Sequence, residues 1–345
     1  MDFPKTLAPK FHINRPARPM LARVAESMFW MSRYIERAEH IARLLLVHTN
    51  VLMDMGELAP KLEQRLWLGV LRVLNLDKTP EAEAMFDDSI PESEIAQRVG
   101  RYMTFSADNP NCLLECLTKA RENARSIREN ISAEMWQELN TMYWTFRADE
   151  TRTRFEEEPQ EMYRQVMNGS FLFQGLTNQT LPHSQAWHFS QLAKHLERGD
   201  ITCRILETKF EVLRAAEGAL QTTPIRNIHW MAVLRSCCAI EAYRRVQPGD
   251  LDPLHVAAFL ILENELPRSV CYSVRHSHEA VCGIRRGVGS PEVDEAERVL
   301  GRLRAELENA DPGEIVYDGV QAYLQKVREK IAVAGMAVQR AYFLH

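Results

Sequence analysis

The chain has 345 residues, 46% hydrophobic and 26% charged, which is ordinary globular composition with enough apolar residues for a core of usual size. With 42 Lys and Arg against 47 Asp and Glu the formal charge is −5, so there is no electrostatic case for binding nucleic acid or an anionic membrane. Apolar runs such as 44–47 and 257–262 fall far short of the ~20 residues that a bilayer span requires.

Residues 1–19 hold four cations, several prolines and no apolar signal core, and read as a flexible N-terminal arm ahead of one domain at 20–345. Apolar residues recur at helical spacing nearly everywhere, with no strand pair or Asn-Gly hairpin signal, so the fold class is all-α, a single multi-helix bundle. A long helix is predicted over 20–53, broken near Gly56, and a second over 60–74. LDKTPEAEAMFDDSIPE reads as an acidic loop. A helix over 93–106 stops at ADNPN, and CLLECLTKARENARSIREN is helical again. Ser132 is a predicted N-cap with acid close behind it, whereas RADETRTRFEEEP reads as a loop or frayed turn. Further helices are predicted over 160–180, 183–216, 225–246, 252–265, 268–283, 291–309 and 313–342. The helix at 291 opens on Ser290-Pro291-Glu292, a cap followed by a first-turn proline and an acid. The seven cysteines form no CxxC pair and read as buried, reduced thiols of a cytoplasmic protein.

RYIERAEHIARLLL at 33–46 and KHLERGDITCRILE at 194–207 align at an offset of 161 residues. The alignment pairs Arg33 with Lys194, Glu36 with Glu197, Arg37 with Arg198, Ala38 with Gly199, Glu39 with Asp200 and Arg43 with Arg204. It points to a degenerate internal duplication of a long Glu-Arg helix, or to two helices meeting in similar roles. On a 3.6-residue turn, Met28, Met31, Ile35, Ala38, Ala42 and Leu45 form one apolar seam. Phe189, Leu192, Leu196, Gly199, Cys203 and Leu206 form the other, and each seam has a small residue at its centre where a neighbouring helix can approach. Beside the first seam, Glu36 lies one turn from Arg33 and His40 and two turns from Arg43, while Arg37 stands among apolar and aromatic residues.

An unpaired buried charge costs several kcal/mol, so these groups must pair or face a polar cavity. In the first reading they are ion pairs that lock helices together, or a solvated face. In the second they line a pocket: Arg33, Arg37, His40, Arg43, Arg198 and Arg204 hold a carboxylate or phosphate, and Glu36 and Glu197 bind an amine or act as catalytic acid and base. Arg121, Arg125 and Arg128 share one stripe near Trp136 and Trp144, as a solvated face or a further wall of the pocket. Glu241 and Arg244 are one turn apart, and Arg268 follows Pro267 at a helix start, where anions are favoured. An ordinary ion pair and a turn are the plainer readings of these last two segments.

Much chemistry is missing. No Glu stands three residues before any of the 11 His, against a di-iron bundle site, and no HExxH or clustered Cys/His zinc spacing occurs, so no metal ligand set is predicted. There is no GxxxxGK[ST], no GxGxxG between strand and helix and no GxSxG, and no Cys-His pair stands out. CGIRRGVGS at 282–290, with its glycines and two Arg, reads as an anion contact or, more plainly, as a flexible helix connection.

The segments MLARVAESMFWMSRYIERAEHIARLLL, ARENARSIRENISAEMWQELN, HLERGDITCRIL, IEAYRR and LPRSV, in this order, resemble the α-E domain family, all-helical proteins with a Glu-Arg motif. The likeness runs from about residue 20 to near the C-terminus. The chain departs from it by the arm before Met20 and by LEN ahead of ELPRS, where the family often has an Asp-containing turn. Family members are typically encoded beside circularly permuted ATP-grasp proteins and transglutaminase-like proteins, and some are fused to the former. The resemblance thus implies a component of a peptide- or amide-bond-forming system that holds an amino-acid or peptide substrate. ATP and Mg would be bound by the ATP-grasp partner and no cofactor by this chain, in keeping with the missing nucleotide motifs. The alternative is a non-catalytic helical scaffold or regulator that docks the partner.

Overall fold

The computed structural model describes residues 20–343 apart from 56–59, 88, 216–222, 250, 289–293, 314 and 316–318, and among the described residues all regular structure is helical. The predicted arm at 1–19, the break at Gly56 and the helix start at Ser290 lie outside them. The helices are α1 (Ala22–Met55), α2 (Pro60–Val73), α3 (Pro80–Met85), α4 (Glu92–Phe105), α5 (Leu113–Ser126), α6 (Ala133–Arg147), α7 (Asp149–Glu157) and α8 (Pro159–Thr180). A second series follows: α9 (Gln185–Ala215), α10 (Thr223–Ser236), α11 (Ile240–Val246), α12 (Pro253–Leu262), α13 (Val270–Val288), α14 (Glu295–Glu308) and α15 (Val320–Tyr342).

Local chemistry accounts for the ends. Ser132 caps α6 as predicted, its Oγ accepting from the Met135 amide at 3.1 Å. Asp252 caps α12 by accepting from the Leu254 and His255 amides at 2.9 Å, and Asp294 caps α14 by accepting from Glu297 at 2.7 Å. Two segments expected to be loops are helical, and α13 runs on through Val288, into the CGIRRGVGS stretch expected to be a connection. Thr79 caps and Pro80 opens α3 inside the acidic stretch, and α7 forms within RADETRTRFEEEP because buried Thr151 and Phe155 anchor one face of it. The single helix expected over 225–246 is two. Cys238 takes φ 50°, and the Ala239 amide donates back to the Leu234 carbonyl at 2.8 Å, the Schellman closure usually built on glycine. The same closure ends α2, with Asn75 at φ 58° and the Leu76 amide donating to Leu71 at 2.9 Å.

These two ends are equivalent points of a repeat. VLRVLNL at 70–76 and VLRSCCA at 233–239 carry the same closure, and Pro110 and Pro267 stand ahead of α5 and α13. Packing repeats as well. Helix α5 lies on α1 as α13 lies on α9; α8 covers α1 as α15 covers α9; α6 joins α5 to α8 as α14 joins α13 to α15. The two halves exchange elements, since α2 packs on α9 and α10 on α1. At the centre α1 and α9 run parallel: their contacts advance together, from Met20 with Gln185 through Ser32 with Ser190 to Arg37 with Glu197. Both predicted seams are buried, Met28, Met31, Ile35, Ala38, Ala42 and Leu45 at 1% exposure or less. Gly199 uses its small size toward α13 and α15, where an added Cβ would lie 3.5 Å from the Ser273 Cβ and 3.2 Å from the Ile331 Cδ1.

Candidate functional site

The two Glu-Arg motifs meet face to face on α1 and α9, and each engages the other rather than its own helix. Arg198 grips Glu36 with two nitrogens, Nε on Oε1 and Nη2 on Oε2 at 3.2 Å. Reciprocally, Arg37 grips Glu197, with Nε on Oε1 at 2.7 Å and Nη2 on Oε2 at 3.1 Å. Arg33 adds a further bond to Glu197 Oε2 at 2.7 Å. The crossing gives bidentate, charge-assisted bonds at both motifs, the strong class of hydrogen bond.

Further residues complete each carboxylate. Gln174 on α8 donates to Glu36 Oε2 at 2.7 Å and accepts from Arg198 Nη2 at 2.9 Å. Asn111, just before α5, accepts from Arg37 Nη1 at 3.0 Å. Arg268, just before α13, donates to Glu39 Oε2 at 2.8 Å, lies 3.7 Å from Glu36 and contacts His40 Nδ1 at 3.0 Å. Arg43 closes on the other oxygen of Glu39, its Nε at 2.8 Å. His40 Nε2 is 3.3 Å from Glu36 Oε1. Burial alone would raise the Glu36 carboxyl, but Arg198, His40 and Arg268 hold it well below its ordinary value. Burial likewise opposes ionisation of Glu39 and Glu197, and is outweighed by Arg268 and Arg43 at the first and by Arg37 and Arg33 at the second. Burial and the Arg268 charge push His40 down, so it is neutral near pH 7.

The structure therefore brings together Arg33, Arg37, Glu36, His40, Arg43, Glu197, Arg198 and Arg268. Arg204 lies further along α9 and pairs with Asp200 at 2.7 Å, which also accepts from Arg328 at 3.2 Å. Arg121, Arg125 and Arg128 do not join. Arg121 donates to Asn140 at 2.7 Å and lies 4.7 Å from the Tyr143 ring centre, Arg125 pairs with Glu122, and Arg128 sits over Trp136. Trp136 and Trp144 thus flank Arg121, with Trp144 55% exposed. Glu241 and Arg244 are exposed on α11, with no ion pair between them. Glu39, Asn111, Gln174 and Lys194 were missed as members of the site. Glu39 could have been found, since Arg43 stands one turn beyond it; Asn111, from the turn before α5, and Gln174, from α8, are distant in sequence and left no local signal.

The cleft beside Glu36, lined by Ser32, Glu36, Gln174, Ser190 and Lys194 among others, has a volume of about 10 Å³. That is room for about one water. Burial and the Arg198 charge push the Lys194 amine down to about 8. Glu36, Glu39 and His40 cluster closely enough to hold a cation, but Arg198, Arg268 and Arg43 already occupy the carboxylate oxygens with positive charge. A second cluster, His278, Cys282 and Glu297, corrects the expectation that no Cys-His pair stands out. Both Glu297 oxygens accept from Arg285, at 2.6 and 3.3 Å. Five of the cysteines are buried free thiols as expected, whereas Cys238 is exposed and Cys282 half-buried. No helix among the described residues is long and apolar enough to cross a membrane.

Fold and site together define an all-helical, internally duplicated bundle clasped at its centre by two crossed Glu-Arg motifs. The chain belongs to the Alpha-E family, described as a predicted alpha-helical domain with a conserved ER motif, whose model matches residues 20–343. It is similar to uncharacterized proteins of Mycobacterium bovis and of two Mycobacterium tuberculosis strains, 24% identical over 330 residues. The match covers 88% of this chain and 34% of each relative, so the chain spans about a third of their length. No solved structure matches it.

Proposed function

We propose that the protein is the helical component of a peptide- or amide-bond-forming system and acts there as a scaffold or regulator docked to a circularly permuted ATP-grasp ligase. The ligase would bind ATP and Mg and activate the carboxylate, and a transglutaminase-like protein would be a further associate. The single observation that carries the scaffold role is the saturation of the motif: Glu36 and Glu197 each accept from guanidinium groups of the opposite motif and are held ionised. A carboxylate held in that way is a poor general acid or base, whose pKa should lie near the working pH. The space beside Glu36 is also too small for an amino acid. The partnership itself follows from the family likeness, and the greater length of the mycobacterial relatives, of which the match covers 34%, supports a helical unit that works joined to other chain.

One observation favours the substrate-holding reading. Arg33 and Arg37 share the single carboxylate of Glu197 and keep 17% and 22% of their side chains exposed, so an outside carboxylate can reach them. Co-purification with the neighbouring ATP-grasp protein, followed by calorimetry of the free chain against amino acids and short peptides, separates the two. A stable complex with no independent ligand binding is expected. Absence of any complex, or saturable peptide binding by the free chain that Arg37→Ala abolishes, would overturn the scaffold reading.

A further inference from the structure

Beyond the clasp, α1 and α9 carry His48 and Lys209, again 161 residues apart, to the place where α2 and α10 pack against them. A cavity of about 40 Å³ opens there. By the measure on which one water needs about 10–15 Å³, it has room for about three or four waters, enough for a carboxylate and its first carbons, with a longer hydrocarbon extending toward the open edge. Leu44, Leu66, Val73, Ile205 and Val233 supply apolar wall, and Thr208 and Ser236 supply hydroxyls. Arg65 stands exposed at its edge.

Lys209 lines this cavity at 8% exposure. Buried arginines of the clasp all have carboxylate partners, as Arg198 has Glu36 and Arg43 and Arg268 have Glu39. Lys209 has none within 4 Å among the described residues; its Nζ lies 2.6 Å from Nδ1 of His229, which is itself fully buried. His229 Nε2 has no hydrogen-bond partner among the described residues. The groups facing Lys209 are thus all basic: His48 from α1, Arg65 from α2 and His229 from α10. Burial pushes the amine down to about 7 and His48 down to about 4, so near pH 8 the pocket is largely uncharged apart from Arg65. A cavity with apolar walls, a buried amine and no internal counter-ion lacks one thing, an anion with a small hydrocarbon body.

We propose that this cavity is a binding site for a short-chain aliphatic monocarboxylate, its carboxylate on Lys209 Nζ and its hydrocarbon against Leu66, Val73, Ile205 and Val233. This is independent of any partnership with a ligase. Binding restores the missing charge partner, so it draws a proton onto Lys209, while His48 and His229 stay neutral.

The full chain is titrated by calorimetry at pH 8 with acetate, butyrate and isovalerate, in two buffers of different ionisation enthalpy, with isovaleramide and inorganic phosphate as comparisons. Saturable binding that strengthens from acetate to isovalerate is expected, with uptake of close to one proton per ligand. Lys209→Met should weaken it by about tenfold or more, as loss of a charged hydrogen bond does. Its melting temperature, expected to hold or rise, shows that the variant is folded. Gly69→Val, which adds a side chain to the cavity wall from α2 and leaves every basic group in place, should also weaken binding. Equal binding of isovaleramide, phosphate binding as tight as isovalerate, absence of saturation, or isovalerate binding untouched by Lys209→Met would each overturn the proposal. Borohydride trapping of isovaleraldehyde on Lys209 without carboxylate binding would overturn it in favour of a covalent imine at the same amine.

Discussion

Glu36→Gln is nearly isosteric but removes the carboxylate that Arg198 grips, leaving that guanidinium with Gln174, and removes one of the two carboxylates that Arg268 faces, leaving Arg268 and Arg43 on Glu39 alone. Breaking a buried pair from one side costs about 3–5 kcal/mol, most of it the stranded charge rather than the lost attraction. Unfolding entropy scales as ~2.1 cal/mol/K per residue, so for a chain of this length it is about 0.7 kcal/mol/K and the melting temperature should fall by about 4–7 °C. Glu197→Gln is the internal control. It strands Arg33 and Arg37, whose side chains are 17% and 22% exposed against 9% for Arg198 and 5% for Arg268, so water can take up part of the lost pairing. Its fall should be clearly smaller. Scanning calorimetry of both variants, with urea midpoints as a second measure, tests the order. A Glu36→Gln protein that melts within about 1 °C of the parent, or a Glu197→Gln protein that melts lower than Glu36→Gln, would refute the crossed clasp as the centre of stability.

Acid should unfold the protein in two stages. His48, at about 4, and His229, pushed far down by burial and Lys209, bind protons in the unfolded chain first, so stability is lost as pH falls below about 6.5; depressed Glu36 and Glu39 add to the loss below about 4.5. A urea midpoint that stays flat from pH 6.5 to 5 would contradict this. Lys209 works at the other end. Its amine is at about 7 folded against 10.5 in the open chain, so the parent should gain stability between pH 7 and 10, and Lys209→Met should remove that gain and be more stable at pH 7. An unchanged slope in the variant would sink the assignment. Gly283→Ala places a Cβ 2.3 Å from the His188 ring and should cost about 1–3 kcal/mol, whereas Gly175→Ala meets nothing within 4 Å and should stabilise α8 by about 0.5–1 kcal/mol in a thermal melt.

Helical spacing made the class of fold and both central seams legible, because a helix that is buried on one side must repeat its apolar residues at the turn. The 161-residue offset of the motifs was legible too. Their pairing was not. Reading one helix at a time puts Glu36 beside Arg33, His40 and Arg43, whereas its guanidinium partners arrive from α9 and from the turn before α13. Arg268 was visible only as a cation after a proline. The helices α3 and α7 were lost because charge density masks two or three buried anchors in so short a segment, and the break at Cys238 was lost because a cysteine stood where glycine is expected.

A parallel pair of long helices has a problem of register. Seams of alternating Met, Ile, Ala, Leu and Cys are similar enough that sliding one helix by a turn would still bury apolar surface, at a modest loss of packing. The crossed motif removes that freedom. Displaced by one turn, Arg198 would leave Glu36, and Glu197 would leave Arg37 at the same time, so four charges would lose their mates together. Because Glu36 comes from one copy of the repeat and Arg198 from the other, neither copy satisfies its own motif. The ER motif acts as a register key between two halves of a duplicated chain, a role in which buried ions have their best-attested use. This accounts for a Glu and an Arg standing side by side in each copy: adjacent positions on a helix point to neighbouring stripes, so each copy can give a carboxylate and receive one across the same interface.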